Sequence, residues 1–189
     1  MDIFSWLAVN FDLPILEWIA NNLRNSVLDF LMPIITMFGD AGIFWIACSL
    51  VMMFIPKTRK VGFSMGLALL MGLILCNLTL KPLIARPRPY VFLDNIAAYL
   101  SSGESDFSFP SGHTIASFEA ATALLLGNKK LGIPAMILAV LIAFSRLYLC
   151  VHYPTDVLAS IALGIGLGFL AKFLVGKAWS RWEIKRAKA

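Results

Sequence analysis

The chain has 189 residues, of which 59% are hydrophobic and 14% charged, with a mean hydropathy of +0.81. A soluble domain carries about 25% charged residues, so this composition describes an integral membrane protein of a length that suits one domain spanning 1–189. The net charge of +5 argues against a nucleic-acid partner by its distribution: Lys57/Arg59/Lys60 and Lys129/Lys130 sit in two short loops, and Lys177, Arg181, Lys185, Arg186 and Lys188 interleave with Trp179 and Trp182 in the tail, a pattern of positive-inside loops with an aromatic anchor.

Residues 3–22 mix apolar positions with Asn10, Asp12, Glu17 and Asn21, and Pro14 interrupts them. They read as one or two amphipathic pieces near the membrane interface. Ser26 to Phe38 is largely apolar but reaches only about 20 Å as helix, so it is predicted to be short or partly inserted. Gly39-Asp40 closes it, and a helix from Ala41 to Pro56 follows. Val61 to Leu80 carries no charge and extends about 30 Å as helix, enough to cross a hydrocarbon core. Helices are predicted at roughly 60–85, 111–127, 132–151 and 155–176. The expected fold is all-α, a polytopic bundle of about five to six membrane helices behind an N-terminal amphipathic interfacial segment.

The connection from Arg86 to Pro110 contains Pro87, Pro89, Gly103 and the polar run 101–106. Loops of this length inside a compact domain are usually functional or disordered. Cys48, Cys76 and Cys150 lie in apolar segments without metal-ligand spacing and read as buried free thiols. Asp2 precedes any basic residue, so the start does not read as a cleaved secretory signal.

Counting helices from a cytoplasmic Lys57/Arg59/Lys60 loop places 86–110 outside, Lys129/Lys130 inside, 146–156 outside and the C-terminus inside. The expectation is a multi-pass protein of the cell membrane whose polar clusters share the extracytoplasmic face.

Those clusters contain both histidines of the chain. His113 lies in Phe109-Pro110-Ser111-Gly112-His113, and His152 in Ser145-Arg146-x5-His152-x3-Asp156. Lys81-x6-Arg88-Pro89 adds cations. Ser111 is placed to cap a helix whose first amides face an anion, and Gly112 allows close backbone approach. Asp156 is placed to accept from one imidazole nitrogen of His152, leaving the other as nucleophile or base. Lys81 and Arg88 are about two helical turns apart, but Pro87 makes a shared helical face doubtful, and Arg86 and Arg88 should point apart. Bland alternatives exist for each cluster: a capping Ser-Gly with an incidental histidine, an interfacial Arg–Asp pair, a basic stop signal. Glu119 falls about 240° around the helix from His113 and is expected to pair with a neighbouring helix.

Together the three motifs resemble those of the type 2 phosphatidic acid phosphatase family, whose pattern is Lys-x6-Arg-Pro, Pro-Ser-Gly-His and Ser-Arg-x5-His-x3-Asp. All three occur without substitution between Lys81 and Asp156. The resemblance implies a metal-independent lipid phosphatase without a cofactor. In it His152 would form a phosphohistidine, Asp156 would orient His152, and His113 would protonate the leaving oxygen and later activate water. Lys81, Arg88, Arg146, Ser111 and the Gly112 amide would hold the phosphoryl oxygens. The small size and brief N-terminal region are similar to bacterial undecaprenyl-diphosphatases, which convert undecaprenyl diphosphate to undecaprenyl phosphate for cell-wall biogenesis. Phosphatidylglycerophosphate, phosphatidate or diacylglycerol diphosphate phosphatases would present the same residues, with the choice of lipid in the 90–110 loop and the tail-lining helix faces. The implied partners are a lipid phosphate or diphosphate and membrane lipids, with no obligate protein partner. The non-enzymatic alternatives are an anionic-lipid carrier or flippase and a structural membrane protein.

Overall fold

The computed structural model describes residues 3–91 and 106–187, and among these there is no strand. Most of the 90–110 loop, including 101–105 of its polar run, lies outside the described residues.

Helix α1 (Ile3–Leu7) continues through a π-helical turn at Ala8–Asp12 into α2 (Leu13–Asn22). Pro14 falls in the first turn of α2, where its missing N–H has no intrahelical partner to lose. Residues 3–22 therefore form one helical run, long and apolar enough to cross a membrane. Asp12 is nevertheless fully buried against the rest of the bundle.

Asn25 caps α3 (Ser26–Met37) by accepting from the amides of Val27 and Leu28. A kink follows, with Ala41 at φ 47° and Gly42 at φ 67°, before α4 (Ile43–Phe54). The two short helices read from the sequence thus join into one bent spanning run, Ser26–Phe54.

Helix α5 (Arg59–Gly72) passes into a π-helical stretch, Leu73–Leu80, and then into α6 (Lys81–Ile84). Ala85 at φ 49° ends that run, and a 3-10 turn covers Pro89–Val91. The remaining helices among the described residues are α7 (Gly112–Gly127), α8 (Lys129–Tyr148) and α9 (Pro154–Ala187). Among the described residues, five helical runs are long and apolar enough to span: Ile3–Asn22, Ser26–Phe54, Arg59–Val91, Lys129–Tyr148 and Pro154–Ala187. At 34 residues, α9 is about 51 Å long, so it outruns a hydrocarbon core of about 30 Å and carries the Trp179/Trp182 tail beyond it.

Helix α7 is the centre of the bundle, packed against α5, α8 and α9. It buries most of its circumference, as expected of a helix with little polar surface. Gly164 and Gly168 bring α9 close. A side chain at 164 would strike Phe118 and the Ile115 carbonyl, and one at 168 would strike Thr122 and the Glu119 carbonyl. Small residues one turn apart suit helices that meet without a hydrophobic driving force between them.

Neighbouring helices run in opposite directions, which gathers the motifs at one end. Lys81 lies near the end of the long run that begins with α5, Ser111 opens α7, Arg146 lies in the last turn of α8 and Asp156 in the first turn of α9. At the opposite end Gly127 packs on Val61 and Lys172, and Phe63 meets Trp179.

Candidate active site

His152 lies in the tight turn between α8 and α9 and is almost fully buried. Its Nδ1 lies 2.7 Å from the Ser108 carbonyl oxygen, which can only accept, so Nδ1 carries the hydrogen. Nε2 is left with its lone pair facing the Arg88 guanidinium at 3.4 Å. Burial pushes the imidazole down to about 4, and the Arg146 and Arg88 charges act in the same direction against the pull of Asp156. The ring is therefore neutral at physiological pH, with its lone pair on Nε2.

Asp156 does not touch the imidazole directly, contrary to the expectation from the sequence. Its Oδ2 is 3.8 Å from Nδ1, outside hydrogen-bond range. The carboxylate instead accepts from Ser108 Oγ at 2.5 Å, from the Tyr153 amide at 3.1 Å and from Arg86 Nη1 at 2.5 Å. Ser108 links the two groups, its hydroxyl on Asp156 and its carbonyl on His152. Arg86 also reaches Asp12 at 2.7 Å and stacks on the Tyr153 ring with its Cζ 3.8 Å from the centroid. Asp12 in turn accepts from the Thr155 amide and hydroxyl at the start of α9. Arg86 and Arg88 do point apart, the first to this acidic pair and the second toward His152.

Ser111 caps α7 through a 3.4 Å contact with the Thr114 amide, and its own amide donates to Ser160 Oγ. A side chain at Gly112 would point toward Asn77 and Lys81 Nζ, so the bare backbone keeps that space open. His113 Nε2 lies 2.7 Å from Asp40 Oδ1. The α3–α4 kink makes that contact: a side chain at Gly39 would strike the His113 ring, so only glycine lets the kink sit against it. Arg146 is buried at the end of α8, with Nη1 donating to Thr36 Oγ1 at 2.7 Å. Lys81 and Arg88, also buried, both pair with the Asp106 carboxylate. Burial alone would raise the Asp106 carboxyl, but Lys81 and Arg88 outweigh it and hold it below the usual range.

Lys81, Gly112, His113 and His152 line one end of a cavity of about 530 Å³. The other end runs between α4 and α5 past Ile46, Leu50, Leu69 and Leu70. Glu119 lines it too, which corrects the expected pairing with a neighbouring helix: its buried Oε2 has no hydrogen-bond partner and lies against Gly72, where any side chain would collide with it. The shape is a polar, cationic mouth on an apolar groove. Fixed cations, a helix N-terminus, a neutral imidazole with a bare nitrogen and a second imidazole are what phosphoryl transfer requires.

A comparison with protein families finds that residues 59–180 match the PAP2 superfamily. The chain belongs to that superfamily. It is 32% identical to an undecaprenyl-diphosphatase of Sulfolobus acidocaldarius over 86% of this chain and 78% of the relative. It is 34% identical to undecaprenyl-diphosphatase BcrC of Bacillus subtilis over 78% and 75%. The crystal structure of a transmembrane PAP2-type phosphatidylglycerolphosphate phosphatase from Bacillus subtilis superposes with a TM-score of 0.70 at 31% identity, covering 92% of this chain and 90% of that one. This PAP2 protein is accordingly a multi-pass membrane lipid phosphatase.

Its motifs contain the residues that the sequence singled out, and the fold brings all eight to the same end of the bundle. Sequence reasoning missed Asp12, Asp40, Ser108, the structural role of Arg86 and the position of Asp106. The one available signal was an acid in an apolar helix, which is a functional hypothesis by default at membrane depth and applied to Asp12. Ser108 and Asp40 carry no such signal.

Proposed function

We propose that the protein hydrolyses undecaprenyl diphosphate to undecaprenyl phosphate at the extracytoplasmic face, through a phosphohistidine and without a metal. The observation that carries the mechanism is His152 itself: Nδ1–H is given to the Ser108 carbonyl, and the bare Nε2 faces the cationic mouth. In the first step the Nε2 lone pair forms a bond to the terminal phosphorus as the bond from phosphorus to the bridging oxygen breaks. His113 gives that oxygen its proton, and the lipid monophosphate leaves. Lys81, Arg88 and Arg146 hold the phosphoryl oxygens, with Ser111 and the Gly112 amide. In the second step His113 takes a proton from water, the resulting hydroxide attacks phosphorus, and the N–P bond breaks to release orthophosphate and restore Nε2. Asp156 acts through Ser108 and Arg86, holding the carbonyl that fixes the imidazole tautomer.

The relatives named undecaprenyl-diphosphatases support the polyprenyl substrate, and the apolar groove between α4 and α5 suits its tail. The Bacillus subtilis structure supports a second reading, a phosphatidylglycerophosphate phosphatase. The basic ends of α5, α8 and α9 support an external site by the positive-inside rule.

The test is phosphate release by purified protein in EDTA from polyprenyl diphosphate, phosphatidylglycerophosphate, phosphatidate and diacylglycerol diphosphate. Polyprenyl diphosphate should give the highest kcat/KM. His152→Ala and His113→Ala should each abolish turnover in protein that remains monodisperse, and acid-labile phosphate should label the wild type but not His152→Ala. Full turnover by His152→Ala would remove the proposed nucleophile. Equal lipid binding by wild type and both variants, without hydrolysis, would favour a carrier.

A further inference from the structure

Two cations of the proposed phosphate site already hold an anion. The Asp106 carboxylate bridges Lys81 and Arg88, one oxygen on Lys81 Nζ and the other on Arg88 Nη2. Lys81 is 7% exposed and Arg88 3% exposed, so these charge-assisted bonds form where water screens them little. A carboxylate offers two oxygens to the same donors that phosphoryl oxygens would use. Asp106 also lines the cavity together with His113 and His152. A headgroup phosphate cannot take both cations while the carboxylate keeps them.

The Asp106 side chain is built to leave. It is 48% exposed, so it can return to water with little desolvation cost. Its backbone is held separately: Arg88 Nε donates to the Asp106 carbonyl at 2.8 Å, and the Ser108 amide donates to the Arg86 carbonyl at 2.9 Å. Rotation about the side-chain torsions therefore lifts the carboxylate off both cations without moving the chain that positions His152. Asp156 is the contrast, fully buried and held by Arg86, Ser108 and the Tyr153 amide.

We infer that Asp106 is an internal competitor for the phosphate site, a tethered anion that weakens every phosphate ligand and expels orthophosphate. The inference rests on the diphosphatase reading above. Binding becomes an exchange of one anion for another on Lys81 and Arg88, and every ligand that takes both cations meets the same cost of displacing the carboxylate. After the phosphohistidine is hydrolysed, Asp106 recaptures the cations and orthophosphate is displaced.

The experiment compares the wild type with Asp106→Asn on polyprenyl diphosphate and polyprenyl monophosphate, and measures inhibition by orthophosphate. Asn keeps the shape and removes the charge. The variant should bind orthophosphate roughly tenfold more tightly, and its KM for each lipid that is cleaved should fall by a similar factor. A raised KM for both lipids would overturn the inference, because Asp106 would then be orienting Lys81 and Arg88. Unchanged orthophosphate inhibition would overturn it equally. If Asp106→Asn is not monodisperse, Asp106→Ser reads the same change. If the wild type does not cleave polyprenyl diphosphate, the diphosphatase reading fails by itself. Orthophosphate inhibition, measured on whichever lipid phosphate is cleaved, still decides whether Asp106 competes.

Discussion

His152 receives its tautomer from a backbone carbonyl, and the carboxylate that the motif places four residues later acts at one remove. This arrangement separates two contributions that a direct contact would merge. Ser108→Ala keeps the carbonyl on Nδ1 and removes only the hydroxyl bond to Asp156. Its kcat should fall by roughly 5- to 10-fold, the scale of one hydrogen bond of about 1 kcal/mol. Asp156→Asn should lose much more, in stability as well as in kcat, because Arg86 is buried and would be left short of a carboxylate. Steady-state kinetics and thermal unfolding of the two variants would show the split, and equal losses would mean that Ser108 is not the link. Protonation of His152 gives a pH signature. The unfolded imidazole titrates near 6.5 and the folded one near 4, so between those values the unfolded chain binds the extra proton. The His152 contribution to stability is complete above about pH 6.5 and declines as pH falls toward 4. Unfolding midpoints across that window should fall with acid in the wild type and fall less in His152→Ala.

At the scale of elements, the N-terminal helix is tied to the His152 turn by charge. Asp12, carried inward by a π-helical turn, accepts from Arg86 and from the first turn of α9. The π-helical stretch Leu73–Leu80 similarly precedes Lys81, and such segments recur at functional sites because the extra residue per turn re-aims the side chains beyond it. Asp12→Asn should lower thermal stability in detergent and also lower kcat, since Arg86 then holds Asp156 less firmly. Glu17→Gln, on the exposed side of α2, serves as the control and should do neither. Equal effects from both changes would mean that the N-terminal helix contributes bulk and no specific tie.

At the scale of the molecule, antiparallel helices place the proposed site and the basic loops at opposite ends. The orientation in the membrane can be tested without activity. A cysteine at Val91, exposed beside the site, should react with an impermeant thiol reagent in intact cells, whereas one at Lys130 should react only after lysis. The reverse pattern would turn the molecule over and place hydrolysis in the cytoplasm. The native Cys76 and Cys150 are buried and Cys48 is partly buried, so background labelling should be low.

Much of this protein was legible in its residues because the relevant signals are local. Apolar runs of spanning length dictate helices in a bilayer, where every backbone polar group must be satisfied internally. Basic loops alternate with polar ones, and three short motifs carry the two histidines, their cations and Asp156. Contacts between residues far apart were beyond the reach of the sequence. Ser108 meets Asp156 across 48 positions, Asp40 meets His113 across 73, and Asp12 meets Thr155 across 143. No periodicity encodes such pairs. They exist because α7 sits at the centre of the bundle and the kink and turns around it close on one end. The same closure turned Glu119 toward the cavity and set Asp106 on the two cations. Local chemistry determined what the protein can do; the packing of its helices decided which atoms hold the His152 imidazole and which carboxylate sits on Lys81 and Arg88.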